Sequence, residues 1–304
     1  MTKKVLVVMG GFSAEREVSL VTGKCAAEAL EKWGYQVVTH DLQDGFRLVD
    51  VLKEEKPDVV FNALHGNFGE DGEIQGLLDI LQIPYTHSGL KTSILGMDKN
   101  LTKAIAKANG VKIAKSETMT YAEFKKDNFT IKAPYVVKPV SDGSSVGVFI
   151  VAHDEDKKKV FYEDDSREIM VEKFVEGKEL TVAVLDDKAL GVTELRPKEG
   201  FYDYRAKYTD GMTQHVLPAE ISEDIYETAK KYAEILHQAL GCNTVSRCDF
   251  RYNEKDGVVL LEINTNPGLT PLSLVPEQAK YAGLSYEQLC AFLVENAIYR
   301  HKEG

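Results

Sequence analysis

The feature that most constrains this chain is the alternation of short apolar runs with helix-length segments over its first 82 residues. Residues 3–9 (KKVLVVM) read as a buried strand, 13–33 as a helix and 35–39 as a strand. The stretch 47–55 reads as a helix, 58–62 (DVVFN) as a strand and 72–82 as a helix. Parallel strands need crossover connections, and helices of this length supply them, so the pattern predicts a mostly parallel sheet covered on both faces. Such an architecture suits nucleotides. Gly10-Gly11-Phe12-Ser13 is not G-x-G-x-x-G, however, which argues against a dinucleotide site.

Beyond residue 90 the pattern changes. A helical stretch at 91–109 leads into apolar runs at 134–140, 146–152 and 168–175. A hairpin signal follows, with Asp186-Asp187 at its turn, then a polar, aromatic loop at 200–214, a helix at 222–241 and a closing helix at 285–300. With 304 residues the chain exceeds one ordinary core, and the expected units are 1–90, 91–174 and 175–304. A net charge of −11 opposes a nucleic-acid partner. The N-terminal apolar run is too short to span a membrane or serve as a signal core, which makes the cytoplasm the expected compartment. Cys25, Cys242, Cys248 and Cys290 are scattered without metal-ligand spacing, as free thiols in a reducing compartment would be.

The densest chemistry lies in SRCDF (246–250) and EINTNPGLTPLSLVP (262–276). Asp249, Glu262 and Asn264 are hard oxygen donors that suit Mg²⁺ carrying phosphates rather than zinc or iron. Pairing Tyr252 with Gly257 sets Phe250 opposite Val259 and Cys248 opposite Leu261. Arg247, Asp249, Arg251, Leu260 and Glu262 then share the other face, and a one-residue slip puts Asp249 on the face of Leu261. In VVKPVSDGSSVGV (136–148), Lys138 ends a strand, and a Gly/Ser loop follows that can close over a triphosphate. Lys99 in GMDKNLTK offers a second phosphate contact. EKFVEGKELTV (172–181) reads as a hinge whose backbone can meet an adenine edge, with Glu179 as an acceptor for ribose hydroxyls.

These segments, together with MGGFSAEREVSL (9–20), ALHGNFGEDGEIQG (63–76) and FYDYRAKY (201–208), resemble the D-alanine–D-alanine ligase family over residues 5 to about 295. The resemblance implies an α/β and α+β, three-domain ATP-grasp fold with an N-terminal parallel-sheet domain. It also implies the reaction: two D-alanines and ATP give D-alanyl-D-alanine, ADP and phosphate through an acyl phosphate, for peptidoglycan synthesis. On this likeness Asp249, Glu262 and Asn264 hold two Mg²⁺ or Mn²⁺ ions. Lys99, Lys138, Ser144 and Ser145 bind phosphates, and Glu172, Lys173, Val175 and Glu179 contact adenosine. Arg247 and the Gly268 N–H meet the tetrahedral oxyanion, and Glu15 pairs with the first ammonium. His65 stands at the substrate end of its strand, while Lys207, Ser273 and Leu274 receive the second carboxylate. Tyr208 closes a lid onto Ser144, which reaches Glu15.

The family also implies a homodimer and leaves dependence on a monovalent cation open. His87 departs from the pattern, which commonly has a small residue there. A D-alanine–D-lactate ligase is the nearest alternative, opposed by the Lys207-Tyr208 pair. A non-catalytic nucleotide sensor is opposed by the intact metal ligands and lid residues. Another carboxylate–amine ligase of the same fold is opposed by the SAERE and HGNFGEDG segments.

Overall fold

The computed structural model describes residues 2–143, 146–198 and 212–299. Lys4–Gly10 (β1), Gln36–Leu42 (β2) and Val59–Asn62 (β3) form a parallel sheet in the order β2-β1-β3. Its two faces are read off β1 residue by residue. Val5 and Val7 pack with Ala26 and Leu30 of Arg16–Trp33 (α1), whereas Leu6 and Val8 pack with Leu48 and Leu52 of Gly45–Glu55 (α2) and with Ile74 and Leu78 of Glu73–Leu81 (α3). Both faces are thus covered, as the continuous apolar run requires. Helix α1 begins three residues later than its apolar pattern, because the Ser13 hydroxyl donates to the His65 carbonyl and accepts from the Glu15 N–H, drawing 13–15 into a turn.

The stretch expected as one helix at 91–109 is two, Leu90–Met97 (α4) and Lys99–Ala108 (α5). Asp98 between them is extended, and its carboxylate accepts from the N–H groups of Asn100 and Leu101, capping α5. Four antiparallel strands follow: Ser116–Thr120 (β4), Tyr135–Pro139 (β5), Phe149–Val151 (β6) and Glu168–Lys173 (β7), ordered β4-β7-β5-β6. The short helix Tyr121–Lys125 (α6) leaves β4 through a Thr120–Glu123 capping box.

The last sheet runs β10-β9-β8-β11-β12, built from Lys178–Leu185 (β8), Lys188–Pro197 (β9), Thr213–Val216 (β10), Val245–Asn253 (β11) and Gly257–Asn264 (β12). Asp186 and Asp187 both have positive φ (50° and 63°), as a two-residue hairpin turn of this hand demands. Glu223–Leu240 (α7) packs on this sheet through Ala229, Ala233 and Leu236. Leu274–Tyr281 (α8) and Tyr286–Glu295 (α9) complete the fold, the latter ending five residues short of the expected 300. α9 returns to pack on α1, and Tyr85 bridges Val60 on one side and Ile298 on the other.

The β11–β12 register differs from the expected one. Asn253, not Tyr252, faces Gly257, so Phe250 pairs with Leu260. That is the one-residue slip that would mix the faces, and a β-bulge corrects it. Leu261 is left without a partner, and beyond it Asp249 faces Glu262, Cys248 faces Ile263 and Arg247 faces Asn264. Leu260 therefore joins Cys248 and Phe250 in the core instead of the polar face.

Candidate active site

Two cavities adjoin where the three sheets approach one another. The first is walled by Glu15, His65 and Glu70 from the N-terminal layer and by Arg247, Asn264, Gly268, Ser273 and Leu274 from the last sheet and its following loop. The second is walled by Lys138, Glu172, Lys173, Val175, Glu179, Asp249, Arg251 and Leu261. Lys99, Asp142, Gly143 and Glu262 belong to both walls. Each expected site residue that lies among the described residues thus lines one cavity or the other. Ser144, Ser145, Lys207 and Tyr208 lie outside the described residues.

In the first cavity His65 is buried and held at both ring nitrogens. Thr22 Oγ1 lies 3.1 Å from Nε2 and Glu70 Oε1 lies 3.1 Å from Nδ1. Burial raises the Glu70 carboxyl above its ordinary range, against the opposing pull of His65. The glycine loop reaches these carboxylates, since a Cβ on Gly143 would sit 3.7 Å from Glu15 Oε2 and 3.9 Å from Glu70 Oε2. Gly268 is as close to the opposite wall: a Cβ there would lie 3.2 Å from Ser273 Oγ and 3.9 Å from His65 Nε2. Ser273 precedes α8, and its hydroxyl accepts from the Thr270 N–H at 2.9 Å. Leu274 is the first residue of that helix, so its N–H belongs to an anion-receptive helix N-terminus. The loop is tied to the N-terminal layer by the Asn266 amide, which donates to the Leu64 carbonyl at 2.8 Å.

At the junction Arg247 donates to Asp249 with both Nε (3.0 Å) and Nη2 (2.9 Å), a bidentate pair on one strand face. Asp249 also accepts from Thr181 Oγ1 at 2.7 Å. Asn264 Oδ1 accepts from the Asn266 N–H at 2.8 Å. Lys99 Nζ donates to the Asp142 carbonyl at 2.5 Å and lies 3.9 Å from Glu262 Oε2. Asp142 is in turn paired with Arg167, and Tyr162 donates to the Gly147 carbonyl at 2.5 Å, so the loop is pinned on both sides.

In the second cavity Lys138 Nζ donates to Glu172 Oε1 at 2.8 Å, while Lys103 meets the other carboxylate oxygen. Glu179 pairs with Arg251 at 3.4 Å. The sequence pattern does not single out Glu70, Lys103, Asp142 or Thr181, and it places Arg251 on the polar face without a role. Two of these left a trace: Glu70 lies five residues after His65 in one loop, and Lys103 lies one helical turn after Lys99. Thr181 left none, because only the pairing of β8 with β11 sets it against Asp249.

Models of the D-alanine–D-alanine ligase N-terminus and C-terminus match residues 44–88 and 102–295. A D-alanine–D-alanine ligase of Erythrobacter litoralis is 48% identical over 308 residues, covering 97% of this chain and 93% of the relative. Another, from a Ruegeria species, is 50% identical over 297 residues, covering 97% and 96%. The chain belongs to the D-alanine–D-alanine ligase family. In three dimensions it is similar to the D-alanine–D-alanine ligase of Bacillus anthracis complexed with ATP, with a TM-score of 0.83 at 33% identity over 97% of both chains. It is also similar to the VanG D-Ala:D-Ser ligase of Enterococcus faecalis, with a TM-score of 0.81 at 27% identity over 97% of this chain and 99% of that one. The ATP-grasp fold follows from membership in the D-alanine–D-alanine ligase family and these likenesses.

Proposed function

We infer that this chain ligates two D-alanine molecules at the expense of ATP, giving D-alanyl-D-alanine, ADP and phosphate for peptidoglycan precursor synthesis. The observation that carries the reading is the pair of adjoining cavities with Lys99, Asp142, Gly143 and Glu262 in their common wall. A nucleotide in one compartment then meets two amino acids in the other at a lysine and a carboxylate. The first D-alanine carboxylate takes the γ-phosphoryl group, forming an acyl phosphate and releasing ADP. The amine of the second attacks that carbonyl and loses a proton, and collapse of the tetrahedral intermediate expels phosphate.

Negative charge develops in both steps, so positioning and electrostatic stabilisation dominate. Glu15 is assigned to the first ammonium, with His65 beside it held by Thr22 and Glu70. Arg247 and the Gly268 N–H are assigned to the oxyanion; loss of one such donor commonly costs about 10²–10³ in rate. Ser273, the Leu274 N–H and Lys207 receive the second carboxylate. Lys99, Lys138, Ser144 and Ser145 serve the phosphates, Glu172, Lys173, Val175 and Glu179 the adenosine, and Tyr208 the lid. Asp249 and Glu262 face each other across β11–β12 with Asn264 two residues on, a hard-oxygen set that fits Mg²⁺ or Mn²⁺. These three would hold the metal, which when bound offsets the charge of the phosphates.

The separation of the three sheets supports domains at 1–90, 91–174 and 175–304. A cytoplasmic homodimer completes the proposal. The test is phosphate release from ATP and Mg²⁺ with D-alanine alone, or with D-lactate or D-serine added, followed by product mass. The expected product is the D-alanine dipeptide in every arm. Dominant ester or mixed dipeptide near neutral pH would overturn the substrate assignment, and no D-alanine-dependent phosphate would overturn the reaction.

A further inference from the structure

The Glu172 carboxylate is gripped by two ammonium groups. Lys138 Nζ on β5 donates to Oε1 at 2.8 Å, and Lys103 Nζ on α5 meets Oε2. All three side chains are buried, with exposures of 6% for Lys138, 4% for Lys103 and 2% for Glu172. Lys138 and Glu172 line the nucleotide cavity, whereas Lys103 stands behind its wall. Two cations against one carboxylate leave an excess of positive charge, and buried charge is costly unless matched. A nucleotide phosphate provides the match, and Lys138 is the member of the pair that faces the cavity.

Consider what happens to Glu172 when Lys138 turns toward phosphate. Burial alone would push its carboxyl up, and the two lysines together hold it below its ordinary range. Burial pushes the Lys103 ammonium down, with Glu172 resisting. Without a second cation the buried carboxylate would be left unmatched, and burial would push its carboxyl up toward the protonated form. An ionised carboxylate only accepts hydrogen bonds, whereas a protonated one also donates. The 6-amino group of adenine requires an acceptor, and a 6-oxo base requires a donor.

We propose that Lys103 is a positioning residue for base selection: it keeps Glu172 ionised and aimed at the adenine amino group while Lys138 serves the phosphates. This rests on the reading of Glu172 as an adenine contact. Lys103 touches neither cavity, so its effect on the nucleotide passes through Glu172.

The experiment compares ATP with ITP, which carries a 6-oxo group, in steady-state ligation by the full chain with D-alanine and Mg²⁺. Lys103→Met is expected to lower the ATP-over-ITP ratio of kcat/KM by about tenfold, with the ATP change carried by KM more than by kcat. Lys103→Arg, which keeps the charge, is expected to restore most of the ratio. Each ratio is taken on one preparation, so a smaller folded fraction does not move it; Lys103→Gln tests the same loss of charge with little loss of bulk. Glu172→Gln separates the two ideas. If it lowers the ratio and Lys103→Met and Lys103→Gln do not, the role of Lys103 is overturned and the Glu172 contact stands. If Glu172→Gln leaves the ratio unchanged, the Glu172 contact falls and the inference falls with it.

Discussion

His87 stands where the resemblance implies a small residue, and its backbone conformation is one that glycine adopts without strain. Its φ of 70° lies in the left-handed region, where glycine is unstrained and His, Asn and Asp are among the better-tolerated side chains. The ring is buried edge-on against Phe61, with centroids 5.8 Å apart, and Nδ1 lies 2.9 Å from Thr86 Oγ1. Nε2 is buried with no hydrogen-bond partner among the described residues. Burial drives the imidazole pKa down to about 3. In the unfolded chain the same ring takes a proton near pH ~6.5. The folded pKa is the lower of the two, so the unfolded state binds the extra proton and stability falls as pH drops through that window. This ring alone should contribute a slope of about 1.4 kcal/mol per pH unit. His87→Asn tolerates the same backbone, and its urea unfolding free energy between pH 5.5 and 4 should flatten by that amount. A slope equal to wild type would refute the buried neutral ring. His237, also depressed by burial, continues to titrate in both proteins.

The β11–β12 hairpin is the element on which the reading of the site depends. Leu260 is fully buried beside Phe250, while Leu261, the bulge residue, lines the second cavity, proposed above for the nucleotide. Leu260→Ala should therefore destabilise the fold by about 2–5 kcal/mol in denaturant titration. Leu261→Ala should instead raise KM for ATP severalfold and leave the unfolding midpoint nearly unchanged. In the simple register the two effects would exchange. The face shared by Asp249, Glu262 and Asn264 was legible in part, because polar and apolar residues alternate along both strands, but the expected register also placed Leu260 on it. The sequence concealed the bulge, because an extra residue in one strand leaves no mark on hydrophobic alternation when Leu260, Leu261 and Ile263 are all apolar. The parallel sheet was legible for a similar reason: long apolar runs bounded by helices admit few arrangements. The strand SETMT (β4) was not, since it is short, largely polar and lies at a sheet edge. The break at Asp98 leaves no mark on the sequence pattern, because residues on both sides of it keep helical periodicity.

At the scale of the whole molecule, the loop after β12 is fastened to the N-terminal layer by the packing of Leu269 and by one buried hydrogen bond from Asn266. Asn266 is 2% exposed, and its amide reaches the carbonyl of Leu64 beside His65. Asn266→Ala leaves that carbonyl unmatched and should cost about 1–3 kcal/mol, measurable as a lower urea midpoint. The same change should raise KM for D-alanine, since His65 and Gly268 face each other across this tie. Unaltered stability and KM together would mean that the two layers are held by other contacts. The return of the chain to its beginning has a further consequence. α9 packs on α1, and Ile298 pairs with Tyr85 at the edge of the first sheet. A layer begun by residues 4–62 is therefore completed by residues 286–298, from the far end of the described fold. Domains ordinarily fold as they emerge, N-terminal first. In this chain the emerging N-terminal layer keeps the face of α1 that meets α9 uncovered until residues 286–295 have been made.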